Sequence, residues 1–385
     1  MTKLQVGESG PVKLIVSTVN EALFLLPWLV ECKQAGREVN VIYGIPPSSS
    51  CLKRLSIFYS QLGPDSLSFL LDHPAQLRNL VSDSTTASNS PIPVWIKVDP
   101  GYRRAGAVPK SREMATLLSA LKASSQPSST PHIKLIGFYT HMGLSYAATS
   151  PTSALSYLAE EISQVLSATE SATPADFGIS RFVISLGATP TASSAANLLS
   201  NPESGAKVRE VLAKAAAAHV DVELHAGVHA ILDMQQMSTR ARAQSTEDIG
   251  LRILCEVLSV YENRETPEVL VGAGTLALGR EPCPSYPGWG VVAPSPWQTD
   301  DGRQIYDEDS KTGWIVKRIS QEHGNLSWEG DREQMYPLNI GDKVLIWPNH
   351  ACIAGPNFTG YFVVDSSRKG KGTEIVDVWI RARGW

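Results

Sequence analysis

Short apolar runs alternate with longer Ala- and Leu-rich stretches through the first two-thirds of this 385-residue chain. VKLIVST, VNVIYGI, SLSFLLD, PVWIKVDPG, KLIGFYTH, RFVISLGATP and VDVELHAG each end in turn residues, while SREMATLLSALKAS, TSALSYLAEEISQVLSAT and AKVREVLAKAAAAH read as helices. Buried strands separated by helical crossovers predict a parallel sheet, because parallel neighbours cannot be joined by a tight turn. Seven strands fall one short of a (β/α) barrel and fit an open doubly wound sheet as well. Both architectures put ligands at the carboxyl ends of the strands. There the unusual residues gather: Asp99-Pro100-Gly101, His141-Met142-Gly143, Gly187-Ala188-Thr189 and His225-Ala226-Gly227.

Near residue 245 the texture changes. RILCEVLSVY, EVLVGAGTLALG, WIVKRIS, KVLIWPN, GYFVVD and IVDVWIRARGW read as strands joined by Pro- and Gly-rich connectors such as REPCPSYPGWG. That pattern predicts a mostly antiparallel β domain over 245–385 after an α/β domain over 1–244. Ser-rich stretches at 81–91 and 123–130 read as exposed loops. A net charge of -4 gives no field for gripping nucleic acid or an anionic membrane. The longest apolar candidate, EALFLLPWLV, is interrupted by Pro27 and is too short to span a bilayer. MTKLQVGESG lacks the apolar stretch of a signal peptide, and five scattered cysteines favour a reducing compartment. A cytoplasmic protein of enzyme size is expected.

Four stretches carry candidate chemistry. The small-residue turn from Gly187 to Ser194 leaves amides and hydroxyls for an anion such as phosphate, or is a plain strand-to-helix turn with a hydroxyl cap. In VWIKVDPGYRRAG, strand alternation puts Trp95, Lys97 and Asp99 on one face. Arg104 follows, either as a bidentate anion binder or as one of a solvated pair. His141 at a strand end and Tyr146 a turn later suit stacking on, or hydrogen bonding to, a planar ligand; a structural role for the histidine fits equally. His350 and Cys352, after the strand KVLIWPN, are zinc-ligand types, or a buried cysteine beside a loop histidine. Two protein ligands leave two positions open, and no CxxC or HxxxH lies nearby to close them.

VDPGYRRAG, YTHMGLSY, LGATPTAS, ELHAGVHAILDMQQ, ISQEHG and GDKVLIWPNHAC occur in this order. Together they resemble the eukaryotic D-serine dehydratases, pyridoxal 5'-phosphate (PLP) enzymes of the alanine racemase-like fold, related to the metal-dependent D-threonine aldolases. The resemblance runs from near Leu4 to Trp385. It implies an alanine racemase-type (β/α) barrel with its first strand missing, followed by the β domain, in a homodimer. It further implies conversion of D-serine to pyruvate and ammonia. Zinc would rest on His350 and Cys352 beside the PLP and draw on the substrate's β-hydroxyl. Arg104 would approach the cofactor's phenolic oxygen, Tyr146 its ring, and Thr189 with the amides of Gly227 and Val228 its phosphate.

Two departures stand out. The family lysine that carries PLP lies in an R-x-H-x-K-T-H segment absent from these residues, shortly before the LQVG stretch that here starts at Leu4. The chain is therefore expected to begin downstream of that lysine, to be catalytically crippled as it stands, and to expose two sheet edges. Lys3 and Lys97 do not stand in that motif. After Gly227 the family has Asn and an aromatic, where this chain has Val228 and His229, a change expected to weaken phosphate binding. Besides the dehydratase, a non-catalytic zinc-binding member and an aldolase-like enzyme fit the residues.

Overall fold

A computed structural model describes residues 1–82, 90–126, 133–200, 202–294, 296–297, 306–307, 310–368 and 372–384. Most of both Ser-rich stretches, expected to be loops, lies outside the described residues. The chain forms two compact units. One holds Met1–Ser145, Pro151–Ala226 and the segment from Ala382; the other holds Tyr146–Ser150 and Gly227–Arg381.

The first unit is a seven-stranded parallel sheet in sequential order. Its strands are β1 (Val12–Val16), β2 (Val39–Tyr43), β3 (Leu67–Leu71), β4 (Ile92–Lys97), β5 (Ile133–Tyr139), β6 (Phe182–Leu186) and β7 (Val220–Leu224). All seven sequence-read strands are present. β3 and β4 are buried at every position, as expected of parallel strands covered on both faces. β1 and β7 each pair with one neighbour, so the sheet stays open between them. Lys13 on β1 nevertheless reaches Glu223 on β7 at 2.6 Å, so the sheet is curled far enough to bring its edges within side-chain range.

Helices cover the outer face, their starts fixed by hydroxyl caps. Thr18, Ser48 and Ser111 accept from the N–H groups of Glu21, Cys51 and Met114. Leu29, Leu55, Phe58, Leu117, Phe138 and Leu155 belong to the core there. The inner face carries a smaller cluster of Ile42, Leu70, Trp95 and Tyr139, with Trp95 Nε1 donating to Ser68 Oγ at 3.1 Å. Lys97 lies on this inner side against Tyr139, as strand alternation from Trp95 requires.

The second unit is antiparallel. A closed six-stranded barrel runs β10-β11-β12-β9-β8-β13, from β8 (Ile253–Tyr261), β9 (Glu268–Val271), β10 (Gly290–Ala293), β11 (Gly313–Ile319), β12 (Gly324–Glu329) and β13 (Lys343–Pro348). A separate hairpin joins β14 (Gly360–Val364) to β15 (Ile375–Ile380). Two of these strands escape the sequence reading. β10 is four residues opening on glycine inside a connector, and β12 opens on the turn pair Gly324-Asn325. EVLVGAGTLALG, read as one strand, is β9 followed by a helical turn, Thr275–Leu278. The break falls at Gly274, where a Cβ would stand 2.0 Å from Ser320 O. Among the described residues no helix is long and apolar enough to cross a membrane.

Candidate functional site

On the parallel unit the sequence-marked residues collect at the carboxyl ends of β4 to β7. Beyond β4 the chain folds back on itself. Asp99 Oδ1 accepts the N–H groups of Gly101 and Arg103 at 2.9 Å, and Ala107 N donates to Lys97 O at 2.8 Å. Gly106 allows the return: its φ is +123°, and a Cβ there would lie 2.5 Å from Asp99 N. The loop brings Lys97, Asp99, Tyr102, Arg104 and His141 around one cleft. The Arg104 guanidinium stands 5.8 Å from the Tyr102 ring centre.

The electrostatics of this cleft favour an anion. Lys97 is 5% exposed, with Nζ 4.8 Å from the Tyr139 ring centre. Burial, and then the positive charge of Arg104, push it down to about 8, while Asp72 acts the other way. Burial, then Arg104 and Lys97, push His141 down to about 4. Burial, then His141 and Lys97, push His225 down to about 3. Both imidazoles are therefore neutral near pH 7. His225 stacks on Tyr139, with centroids 4.6 Å apart and planes 5° apart, and its Nδ1 lies 3.1 Å from Ser185 Oγ. Two cations that repel one another beside neutral rings suit an anionic, planar guest.

The turn after β6 is more committed than its sequence suggests. Gly187 has φ +146°, and a Cβ there would meet His225 O at 2.1 Å. Its N–H donates to Glu161 Oε1 at 3.0 Å, and its carbonyl lies 3.1 Å from His141 Nδ1. Ala188 N donates to Thr191 Oγ1 at 2.9 Å. Two amides expected to be available to phosphate are thus already in use. The buried carboxylate of Glu161 beneath the turn takes the first directly and holds Thr191, the partner of the second. Thr189 is buried at the first position of the short helix Thr189–Ser194.

Glu161 was not singled out from sequence. It is fully buried on the helix Pro151–Thr169. Besides Gly187 N it accepts from Met142 N at 2.9 Å and from Thr191 Oγ1 at 3.0 Å. Burial raises it to about 7 against these three bonds. The readable signal is its place on an apolar helix face, among Leu158, Ile162 and Val165.

The other candidates belong to the second unit. Tyr146 and His350 have ring centroids 6.2 Å apart, tilted by 32°. Gly227 and His229 are exposed and Val228 is buried. Val228 O accepts from Ile231 N and Leu232 N. His350 caps the short helix Ala351–Ala354, on which Cys352 is exposed. His350 Nδ1 is buried without a hydrogen-bond partner, and Glu281 Oε2 stands 4.0 Å away. Among the described residues no group of three or more His, Cys, Asp or Glu is gathered as a metal cage. A buried imidazole nitrogen without a partner, two residues from a thiol, fits a metal that takes few protein ligands.

Two further residues hold this corner. Asn349 Nδ2 donates to Glu281 O and Gly288 O, both at 2.8 Å, while its Oδ1 accepts from Tyr286 OH. Asp233, fully buried, accepts from Gln236 N at 2.8 Å and from Ala351 N at 2.9 Å. Burial raises its carboxyl, while those two bonds and His350 act the other way.

A parallel sheet with cations at its strand ends, on a chain that also forms an antiparallel barrel, is the arrangement of the alanine racemase-like fold. Residues 6–201 match the alanine racemase N-terminal domain, and residues 250–364 match the putative serine dehydratase domain. D-threo-3-hydroxyaspartate dehydratase from Delftia sp. HT23 shares the fold, with a TM-score of 0.68 at 20% identity over 100% of this chain and 93% of that one. The chain belongs to the D-serine dehydratase family. It is 31% identical to the D-serine dehydratase of Schizosaccharomyces pombe over 100% of this chain and 82% of the relative. It is 32% identical to that of Saccharomyces cerevisiae over 97% of this chain and 81% of the relative.

Proposed function

We propose that the chain serves the dehydration and deamination of a small D-3-hydroxy amino acid, D-serine to pyruvate and ammonia, with PLP on the parallel unit and zinc on His350 and Cys352. The observation that carries this reading is the match to D-serine dehydratases along essentially the whole chain. When bound, PLP supplies an electron sink for the substrate's α-carbon, and zinc supplies a Lewis acid for departure of the β-hydroxyl.

The protein's own groups set the conditions for that chemistry. Arg104, in the cleft with Lys97, is assigned to the cofactor's phenolic oxygen, because an anion there relieves the repulsion between the two cations. Neutral His141 and His225 add no third or fourth positive charge near that oxygen. Thr189 is assigned to the phosphate. On the other unit the partnerless Nδ1 of His350 supports zinc, and Tyr146 is assigned the family's aromatic role. Cysteine usage supports a cytoplasmic setting.

A homodimer belongs to the same proposal. On one face of the β14–β15 hairpin, Phe362 pairs with Val378, Val364 with Ile375, and Gly360 with Ile380. Phe362 is 72% exposed and Ile380 65%, an apolar face suited to a second copy.

Product analysis on the native protein isolated from its source, supplied with PLP and zinc, tests the reading. Pyruvate from D-serine and none from L-serine is the expected result. Glycine with an aldehyde from D-threonine would replace the proposal with aldolase chemistry. Zinc retained in stoichiometric amount with no product from either substrate would establish a binding protein.

A further inference from the structure

The carboxylate of Glu161 lies beneath two strand-end turns at once, and its three partners are all parts of the His141 environment. Oε1 takes the N–H of Met142, the residue that follows His141, at 2.9 Å. The same oxygen takes the N–H of Gly187, whose carbonyl is the acceptor 3.1 Å from His141 Nδ1. Oε2 takes the hydroxyl of Thr191 at 3.0 Å. Thr191 Oγ1 in turn accepts Ala188 N at 2.9 Å, and that N–H belongs to the same peptide plane as the Gly187 carbonyl. One buried side chain therefore fixes the backbone that carries His141 and both flanks of the carbonyl its ring meets.

A carbonyl accepts and cannot donate, so His141 must carry its proton on Nδ1 to use Gly187 O. Tilting that carbonyl by a few tens of degrees would remove the bond and with it the preference for this tautomer. Gly187 itself cannot hold the carbonyl through side-chain packing, and its positive φ leaves the flanking peptides to be set from outside.

We propose that Glu161 is a positioning residue that holds the Gly187–Ala188 peptide so that His141 presents the Nδ1–H tautomer to the cofactor cleft. The assignment of the cleft to a cofactor rests on the function proposed above; the tautomer of His141 does not. The two ideas therefore fail separately, one by product analysis and the other by spectroscopy on the protein alone.

The test is long-range ¹H–¹⁵N correlation of the histidine rings in ¹⁵N-labelled protein near pH 7, where His141 is neutral. His141→Gln identifies the signal by subtraction. The wild type is expected to show the Nδ1–H form. Glu161→Leu, which keeps the volume and removes the acceptors, should move the tautomer ratio toward Nε2–H by about fivefold, the equilibrium weight of one net hydrogen bond. Glu161→Gln should restore the wild-type ratio, because its carbonyl still accepts both amides while its amide group meets Thr191 Oγ1. A merely structural carboxylate would lower stability in both variants without moving the ratio. Should Glu161→Leu fail to fold, Thr191→Val carries the same test, since it strips the acceptor from Ala188 N and should shift the ratio in the same direction. An Nε2–H wild type, or an unchanged ratio in the folded variant, overturns the proposal.

Discussion

Replacing Asp233 with alanine should loosen two helix starts together. Asp233 caps the helix Met234–Thr239 through Gln236 N at 2.8 Å, and its other oxygen takes Ala351 N at 2.9 Å. Ala351 is the first residue of its helix, so its N–H has no acceptor within that helix and depends on Asp233. Each bond joins a buried amide to a carboxylate, for which about 1.5–3 kcal/mol is usual. Relief of the buried carboxyl's own desolvation offsets part of the sum, leaving about 3 kcal/mol. Shared between the two amides that is about 1.5 kcal/mol each, roughly a tenfold faster exchange at Gln236 and at Ala351. Hydrogen exchange read by NMR, at fixed pH and against amides of the β14–β15 hairpin as control, measures it without assuming that the two units unfold together. Asp233→Asn keeps one acceptor oxygen and should release one of the two amides much more than the other. If Gln236 accelerates in the alanine variant while Ala351 does not, Asp233 is only a local helix cap, and the argument that it fixes the backbone next to His350 is wrong.

Gly187→Ala should cost about 3 kcal/mol or more, from its positive φ and a Cβ 2.1 Å from His225 O, and should lower the denaturant midpoint accordingly. Lys97→Met should stabilise the protein below pH 8. Lys97 has its folded value depressed to about 8, so between pH 8 and its ordinary value of 10.5 the unfolded chain binds more protons, and wild-type stability rises with pH. The advantage of methionine, up to about 3 kcal/mol by that linkage, should fade across this window; an advantage constant with pH would refute the assignment. If the proposed dimer forms through this face, Phe362→Glu combined with Ile380→Lys should convert it to a monomer in light scattering, since both side chains stand on the exposed apolar face of the hairpin.

The parallel unit was legible because its signal is redundant. Each of the seven strands is a short run in which apolar residues predominate, even in β7 where Asp221 and Glu223 alternate with them, and the crossover stretches between them have the composition and period of helices. The antiparallel barrel was legible only where a strand is long enough to show its pattern. β10 offers Gly-Val-Val-Ala, four buried residues with no alternation, and it is recognised as a strand only by pairing with β11 and β13. β12 begins with residues that terminate strands elsewhere. Its place is set by β9 and β11 on either side, a non-local cause that no local window contains.

The same contrast separates the residues of the candidate site. Lys97, Arg104, His141, Thr189, His350 and Cys352 could be named from sequence because they stand where apolar runs end, and that is where parallel and antiparallel elements alike release side chains from the core. Glu161 and Asp233 carry roles that no local window shows, because the partners that matter to the site lie far off in sequence, even though Asp233 also caps its own helix through Gln236. Glu161 meets Met142 and Gly187, 19 and 26 residues away, and Asp233 meets Ala351 at a distance of 118. Both carboxylates solve one physical problem. A strand-end turn leaves the ladder, so its N–H groups have no neighbouring strand to bond, yet a site that excludes water cannot leave them to solvent. A buried carboxylate offers two oxygens to amides arriving from different turns and sets those turns relative to each other. In Glu161 the cost is visible as a carboxyl raised to about 7. A hydrophobic residue at the same helical position would leave the amides of Met142 and Gly187 without their acceptor, so the desolvation of Glu161 is the cost of satisfying them and, with that, of fixing the backbone at His141 and Gly187.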